Sequence, residues 1–486
     1  MSSGSVAGHE APLTHALADV LAGARYADLP ADVLEHSRRA VIDWLGSALA
    51  GSIERPARLA QSVASGLGTS NQATMFAAGR ASAAAAAFAN GVASHILELD
   101  DIHKGSTVHA AAPIIPAALA LAEREHADGR TFLTAVTVGY EAAFRIGEAV
   151  NPSHYYFFHP TGTVATFGAA AAAGSVLRLD AGTMTHALGS AGTQAAALWE
   201  FNADGVMSKH LHPGKAAMNG ILSADLARAG FTGASQILEG ERGFFKAMSR
   251  AHDSSRVTDE LGTRWKIGEN GYKLYSCCGH THTAVDCAFE IRGRRHWQQA
   301  DVLRDVVSIT IETYGPGFEI VKEMNPRSPY QAKFSLAYCV AAALLEGALG
   351  LEQFTDGRFG PDGVRDRAIA DLLRRIRVVV ADDLTEQYPA AWPVRLSMTL
   401  QRGGTEKAAS DYPKGNAENP VTTEELEQKF TRLVAGRFGD DVAHVALSAL
   451  RGIDRSEDMA GVFAELGRLK AAPTSNAGST PLASTL

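Results

Sequence analysis

The stretch Leu34–Leu49, LEHSRRAVIDWLGSAL, decides the fold class. Val41, Leu45 and Ala48, with Trp44 beside them, recur at three- and four-residue spacing behind a polar entry that carries Glu35, Arg38 and Arg39. Side chains spaced this way share one face of an α-helix, so the segment predicts an amphipathic helix. The same periodicity continues from about residue 30 to 249, punctuated by Gly, Pro and Asp. Further helices are expected over Ala83–Leu97, Ile114–Ala122, Phe132–Val150, Val164–Leu177, Ala181–Leu198 and Ala216–Ala229. Their many Ala, Gly and Ser residues let helix axes approach closely. A large all-α domain is therefore expected over 12–265.

Beyond Trp265 the texture changes. The β-branched runs Val306–Ile311, Ile376–Val380 and Val394–Leu400 read as strands, alternating with helices at His282–Arg292 and Gln331–Leu349. This predicts a smaller α+β lid domain over 266–402. The turn Arg402-Gly403-Gly404 and the loop Tyr412-Pro413-Lys414-Gly415 then lead into helices at Thr423–Ala435, Val442–Leu450 and Met459–Leu469. Residues 403–470 are expected to return to the helical domain, and the fold class is mostly α. The N-terminus, 1–11, and the small, polar, proline-containing tail, 471–486, are expected to be disordered.

At 486 residues, 46% apolar and 20% charged, the chain has the balance of a soluble protein with more than one core. A formal net charge of -8 gives no footprint for nonspecific nucleic-acid binding, so any anionic ligand must be met by local cations. The longest apolar stretches, near 81–89 and 169–176, are alanine-rich and too short to span a bilayer, and no membrane partner is expected. MSSGSVAGHE has neither a basic n-region nor an apolar h-region, which points to the cytoplasm. Four cysteines fit a reducing compartment and give no disulfide framework.

Four segments place His or Lys just before an alanine-rich helical stretch: Lys104–His109, His154–His159, Lys209–Lys215 and Lys273–His282. A helix N-terminus presents unpaired N–H groups and partial positive charge, so Lys and His there make an anion site able to transfer protons. In the first, Asp100 and Asp101 precede His103, Lys104 and His109. The two acids are either catalytic or serve to end one helix and cap the next. In the second, an aromatic run leads to His159, which either lines a pocket or belongs to the core. The third, Lys209-His-Leu-His-Pro-Gly-Lys215, reads as a Pro-Gly turn with a helix beginning near Lys215; Lys209, His212 and Lys215 are candidates unless the turn is merely solvated. The fourth carries Lys273, Cys278, His280 and His282. Its adjacent cysteines, Cys277 and Cys278, lack the spacing of an iron–sulfur cluster, and with zinc held through Cys and His as the lesser alternative, no metal is expected. Lys333 and Tyr338 fall on a later helix, where a tyrosine is more often core. Gly139-Tyr-Glu141 and Arg145 are equally open. No Walker loop, dinucleotide fingerprint or nucleophile elbow occurs in a strand-to-helix context, and no cofactor is expected.

Taken together, Asp43-Trp-Leu-Gly-Ser-Ala-Leu-Ala-Gly51, the Leu-Glu-Leu-Asp-Asp loop ending at His109, Gly139-Tyr-Glu141, His159-Pro-Thr-Gly162, Lys209–Gly220 and Lys273–His282 resemble the MmgE/PrpD family. That family includes 2-methylcitrate dehydratase, cis-aconitate decarboxylase and iminodisuccinate epimerase. The resemblance covers roughly 12–470 with the blocks in order. It implies a large helical domain with an α+β lid, an active site between them, a homodimer, and metal-free catalysis on a di- or tricarboxylate. It implies roles for Asp100 or Asp101 with His109, for His159, for Lys209 and for Lys273. Two departures from animal-type decarboxylases stand out: Cys278 occupies a position where a His is expected, and the acidic loop is one residue longer.

Proton removal beside a carboxylate creates charge that fixed cations must meet, which Lys209, Lys273 and His212 can do. His109 and His159 are expected to be the proton-transfer pair, with an aspartate orienting one imidazole. Dehydration of a 2-methylcitrate-like hydroxy acid is the expected reaction; decarboxylation, epimerisation and noncatalytic carboxylate binding are the alternatives.

Overall fold

Leu34–Leu49 lies within a helix, Ala31–Gly51, that buries Val41, Trp44, Leu45, Ala48 and Leu49. The Trp44 indole N–H donates to Ser94 Oγ at 2.8 Å, which satisfies the one polar atom of a fully buried ring. The computed structural model describes residues 12–471, so the segment 1–11 and all but the first residue of the tail 471–486 lie outside the described residues. Ala83–His95, Ala111–Arg124 and Gly129–Val150 pack against Ala31–Gly51, and Val164–Val176, Ala181–Gly192 and Ser208–Arg228 pack in turn on those helices and on one another. Every residue of Val164–Val176 except Ser175 is buried, and a helix with no polar face belongs in an interior.

Small residues set the helix spacing. A Cβ on Gly168 would stand 2.7 Å from the Gly139 carbonyl oxygen, and one on Gly220 would stand 2.5 Å from Ala169 Cβ. Packed interiors do not yield that much room, so alanine at either position pushes two helices apart. Asp128 and Asp180 cap their helices by accepting the Thr131 and Thr183 N–H groups at 2.7 and 2.8 Å, each cap being worth about 1 kcal/mol.

Two boundaries in this domain differ from the sequence reading. The helix begun at Ala181 ends at Gly192, well short of Leu198. The helix expected from Ala216 begins at Ser208 and runs through Pro213 and Gly214, so Lys209–Lys215 is helical and not a loop. Proline inside a helix is unfavourable by about 3 kcal/mol. Here Gly214 lies directly against Ala83–His95, where a Cβ would come within 2.6 Å of the Phe88 carbonyl oxygen. The Pro-Gly pair is a helix-to-helix contact, and packing overrides the local turn signal.

The lid holds a separate core behind a four-stranded sheet, ordered Ile376–Val380, Val306–Thr313, Val394–Leu400, Thr405–Ser410. The first pair is parallel and the other two are antiparallel. The edge strand Thr405–Ser410 carries the sheet past the boundary read at 402; only Ala408 in it is buried, so it lacks the apolar alternation that marks a strand. His282–Arg294 and Leu336–Glu346 belong to the lid core. The helix expected over Gln331–Leu349 is split: Pro329–Lys333 stops, and Ser335 caps the next helix by accepting the Tyr338 N–H at 3.1 Å. Thr423–Phe438 packs on Ala31–Gly51, tied there by Lys429, whose ammonium reaches Asp43 and the Leu99 carbonyl, both at 2.6 Å. Phe430, Val434, Phe438, Ala443 and Leu450 share one core with the N-terminal helices. Met459–Leu469 forms a single helical turn, Met459–Val462, followed by a 3-10 turn, Ala464–Arg468. No helix among the described residues is long and apolar enough to cross a membrane.

Candidate active site

The acidic segment that follows Ala83–His95 crosses the seam between the two cores. Ile102 and Gly271 exchange backbone hydrogen bonds of 2.9 and 3.0 Å across it, and Ser276 Oγ donates to the Leu97 carbonyl at 2.5 Å. Glu98 holds a left-handed backbone, φ 57°, uncommon for a residue with a side chain. That conformation sends its carboxylate between two buried lysines: one oxygen meets the Lys209 ammonium, and the other lies 3.2 Å from that of Lys273. Burial alone would raise the Glu98 carboxyl, but the two ammonium groups hold it well below the usual range. Asp100 is likewise pulled down against burial by His95, His109 and Lys273. Two carboxylates and two ammonium groups thus balance in a water-poor site.

Above this pair of ion pairs, three imidazoles gather. The ring centroids of His95 and His109 are 4.7 Å apart, those of His95 and His159 5.5 Å, and those of His109 and His159 6.1 Å. His109 Nδ1 lies 2.6 Å from the Asp101 carbonyl oxygen. A carbonyl can only accept, so Nδ1 carries the hydrogen and Nε2 carries a lone pair. His95 Nδ1 sits 2.6 Å from Asp100 Oδ2, and its buried Nε2 has no hydrogen-bond partner among the described residues. His159 Nδ1 faces His212 Nδ1 at 3.0 Å, leaving His159 Nε2 buried and unpartnered. Burial, with cationic neighbours adding to it, holds His109 and His159 well below the usual imidazole range, so both rest neutral.

The lid side supplies Lys333, which donates to the Leu97 carbonyl at 2.9 Å and is pushed by burial down to about 8. His280 is strung between Tyr155 OH at 3.1 Å and Tyr314 OH at 2.6 Å and lowered by burial to about 3. Burial pushes the Cys278 thiol up to about 12, so it stays protonated. A cavity of about 540 Å³ opens at the seam, lined among others by Leu97, His210, Tyr330, Lys333 and Arg437. Lys333 and His210 line it, whereas Glu98, Lys209 and Lys273 do not.

Asp100, His109, His159, Lys209, Lys273 and His212 therefore come together, with Lys333, Cys278 and His280 close behind. Other predicted residues do not reach the cluster. Asp101 is a cap: Oδ1 accepts the Ala111 N–H at 3.0 Å and Oδ2 accepts the Tyr140 hydroxyl at 2.6 Å, with burial raising its carboxyl to about 7. Lys104 turns outward to Glu418 and lies over the Tyr412 ring. His103 bonds Ser106 at 2.9 Å and stacks on Phe144. Lys215 donates to the carbonyls of Gly162, Gln194 and Ala196, tying the His159 segment to the helix behind it. His282 stays against Tyr275 and the Cys277 carbonyl, and the Tyr338 hydroxyl bonds the Gln353 carbonyl in the lid core. Arg145 and Glu141 pair with each other, and Arg145 also donates to the carbonyls of Asp259 and Arg264, a structural role.

The sequence reading passed over His95 and His210. His95 closes the helix that leads into the acidic segment, three positions before Glu98, and His210 lies beside Lys209. Nearness in sequence to the acidic segment and to Lys209 is the signal that could have found them.

A site of this kind can hold polyanions on its lysines and move protons through imidazoles. The MmgE/PrpD N-terminal domain matches residues 15–256 and the MmgE/PrpD C-terminal domain matches 275–454. The chain is 26% identical to the cis-aconitate decarboxylase of Homo sapiens, over 92% of this chain and 92% of that one. It is 26% identical to the cis-aconitate decarboxylase of Aspergillus terreus, over 89% and 91% of the two chains. It is also 26% identical to a cis-aconitate decarboxylase-like protein of Aspergillus oryzae, over 90% and 95%. The two domain matches follow one another along nearly the whole chain, and the chain belongs to the MmgE/PrpD family.

Proposed function

We propose that the chain is a lyase acting on a small di- or tricarboxylate by general acid/base catalysis, with no metal ion taking part. The observation that carries this reading is the lone pair on His109 Nε2, fixed by the bond from Nδ1–H to the Asp101 carbonyl, in a cluster that also holds the buried ammonium groups of Lys209 and Lys273. Charge that develops on carbon beside a carboxylate is poorly stabilised by water. Fixed ammonium groups in a dry site meet it with no reorganisation, which is where most of the barrier reduction comes from. His109 is positioned to take or return the proton on carbon, and His159, tethered through His212, serves as the second proton carrier.

The names of the relatives favour decarboxylation of a cis-aconitate-like tricarboxylate. The bond to one carboxylate breaks, carbon dioxide leaves, and the electron pair left behind takes a proton on carbon from an imidazole that has first taken one up from solvent, which returns the ring to its neutral state. Dehydration of a 2-methylcitrate-like hydroxy acid, the reaction preferred from the sequence, is the second reading. It is favoured by the neutral resting state of His109 and His159, since neutral imidazoles are ready to abstract a proton.

The test is to incubate the purified protein with cis-aconitate, citrate, 2-methylcitrate and aminodicarboxylates, identifying products by mass spectrometry and measuring carbon dioxide. Carbon dioxide with a matching decarboxylated product supports the first reading, and water loss without it supports the second. Saturable binding with no turnover across the panel would overturn both and make the chain a carboxylate-binding protein. Activity lost to a chelator and restored by a metal would overturn the metal-independent chemistry.

A further inference from the structure

The three imidazoles of the site have a property that acid/base chemistry does not use. One ring nitrogen from each of His95, His109 and His159 lies within 4.8 Å of the others. In each ring Nδ1 is already engaged: by the Asp100 carboxylate at 2.6 Å, by the Asp101 carbonyl at 2.6 Å and by His212 at 3.0 Å. Nε2 is the nitrogen left to each, and in His95 and His159 it is buried with no partner among the described residues. Buried nitrogens without partners are rare and ask for an explanation. For His109, which rests neutral, the Nδ1 partner can only accept, so Nε2 offers a lone pair; for His95, Nδ1 is held by Asp100 and Nε2 is the nitrogen left to ligate.

Three imidazoles with ring nitrogens this close, each with Nδ1 pinned to a neighbour, form the kind of arrangement that holds a metal through His ligands. We propose that His95, His109 and His159 form a binding site for a divalent transition metal of the zinc and cobalt kind, open at its fourth position. Tetrahedral zinc with Zn–N bonds of about 2.0–2.1 Å sets its nitrogens roughly 3.3–3.4 Å apart. The ring nitrogens lie within 4.8 Å of one another, so no pair has to close by more than about 1.4–1.5 Å. The surrounding charge does not oppose a cation, since Glu98 and Asp100 balance Lys209 and Lys273. The other cluster of metal-ligating groups, His103 with Glu148 and Glu269, is already served by the Lys266 ammonium, 2.9 Å from Glu148.

Occupation of this site takes the His109 lone pair away from carbon, so the metal inhibits. That consequence rests on the proposed lyase activity; the binding itself does not. The experiment is cobalt(II) titration of the metal-stripped full-length protein, followed by visible d–d absorption and by metal analysis after gel filtration. The expected result is one cobalt per chain with the intense bands of a four- or five-coordinate ion, displaced by zinc. His95→Gln and His159→Gln should each weaken binding by more than the roughly 10–100-fold that loss of an outer partner causes. His126→Gln, at an exposed histidine, should leave it unchanged. Circular dichroism verifies that the variants are folded, and two variants guard against loss of either. No stoichiometric cobalt, or equal affinity in wild type and both folded site variants, overturns the site. Where a substrate has been identified, stoichiometric zinc should abolish turnover; turnover that persists with the site filled overturns the inhibitory role while leaving the binding result in place.

Discussion

Replacing Glu98 with Gln removes one buried negative charge from between two buried positive ones. Glu98, Lys209 and Lys273 are each no more than 2% exposed, so water cannot take over the missing role. At an effective dielectric near 20, an ion pair at the 3.2 Å of Lys273 and Glu98 is worth roughly 5 kcal/mol of Coulomb energy. Breaking a buried pair by removing one partner destabilises by about 3–5 kcal/mol, because the remaining charge is left uncompensated. Glu98→Gln should therefore lower stability by about 3–5 kcal/mol in urea unfolding at neutral pH. Lys209 forms its ion pair with Glu98, so adding Lys209→Met to Glu98→Gln should restore part of that loss. The pH sign follows from a carboxyl held below its unfolded value of 4.5: the wild-type advantage is present above that value and fades as the pH falls below it. A loss under about 1 kcal/mol, or strictly additive effects in the double variant, would refute the view of this group as a tightly coupled buried charge set.

Three further outcomes are expected. Glu123 is buried, with one oxygen bonded to the Thr74 N–H and the other unpartnered, and burial raises its carboxyl from 4.5 to about 7. A raised acid stabilises below its unfolded value and loses that contribution as the pH climbs to the folded one, so wild type should lose about 3 kcal/mol relative to Glu123→Gln between those limits, read by denaturant unfolding across pH. Tyr338→Phe strands the buried Gln353 carbonyl and should lower stability by about 1–3 kcal/mol while leaving the turnover of folded protein unchanged, which separate melting and rate measurements distinguish. Gly168→Ala forces a Cβ against the Gly139 carbonyl and should lower the melting temperature through overpacking of about 1–3 kcal/mol; an unchanged melting temperature would contradict the close approach of those helices.

The helical half was legible because its signal is local: periodic apolar positions and small residues specify both helices and their close spacing. The lid sheet was legible only where β-branched residues face a core. The edge strand Thr405–Ser410 has one buried residue and reads as loop. Pro213-Gly214 misled because the same residues that make a turn in an exposed chain serve here to bring two backbones together, a fact fixed by Phe88, far away in sequence. At the site, residue types pointed to the right segments, but their division of labour depends on the seam. Asp100 and Asp101 are neighbours in sequence and opposite in use: one carboxylate holds His95, and the other caps a helix while its backbone carbonyl holds His109. Lys104 and His103 were indistinguishable in sequence from the residues that gather at the candidate site; only the course of the loop turns them away.

The most direct test of the account is the turnover number of His109→Ala on whichever polycarboxylate the wild type converts, with folding verified by circular dichroism. If His109 Nε2 moves the proton on carbon, turnover falls by about two to four orders of magnitude while the melting curve is retained. A folded His109→Ala protein that turns over at the wild-type rate would contradict the assignment and remove the basis for reading this cluster as an acid/base site.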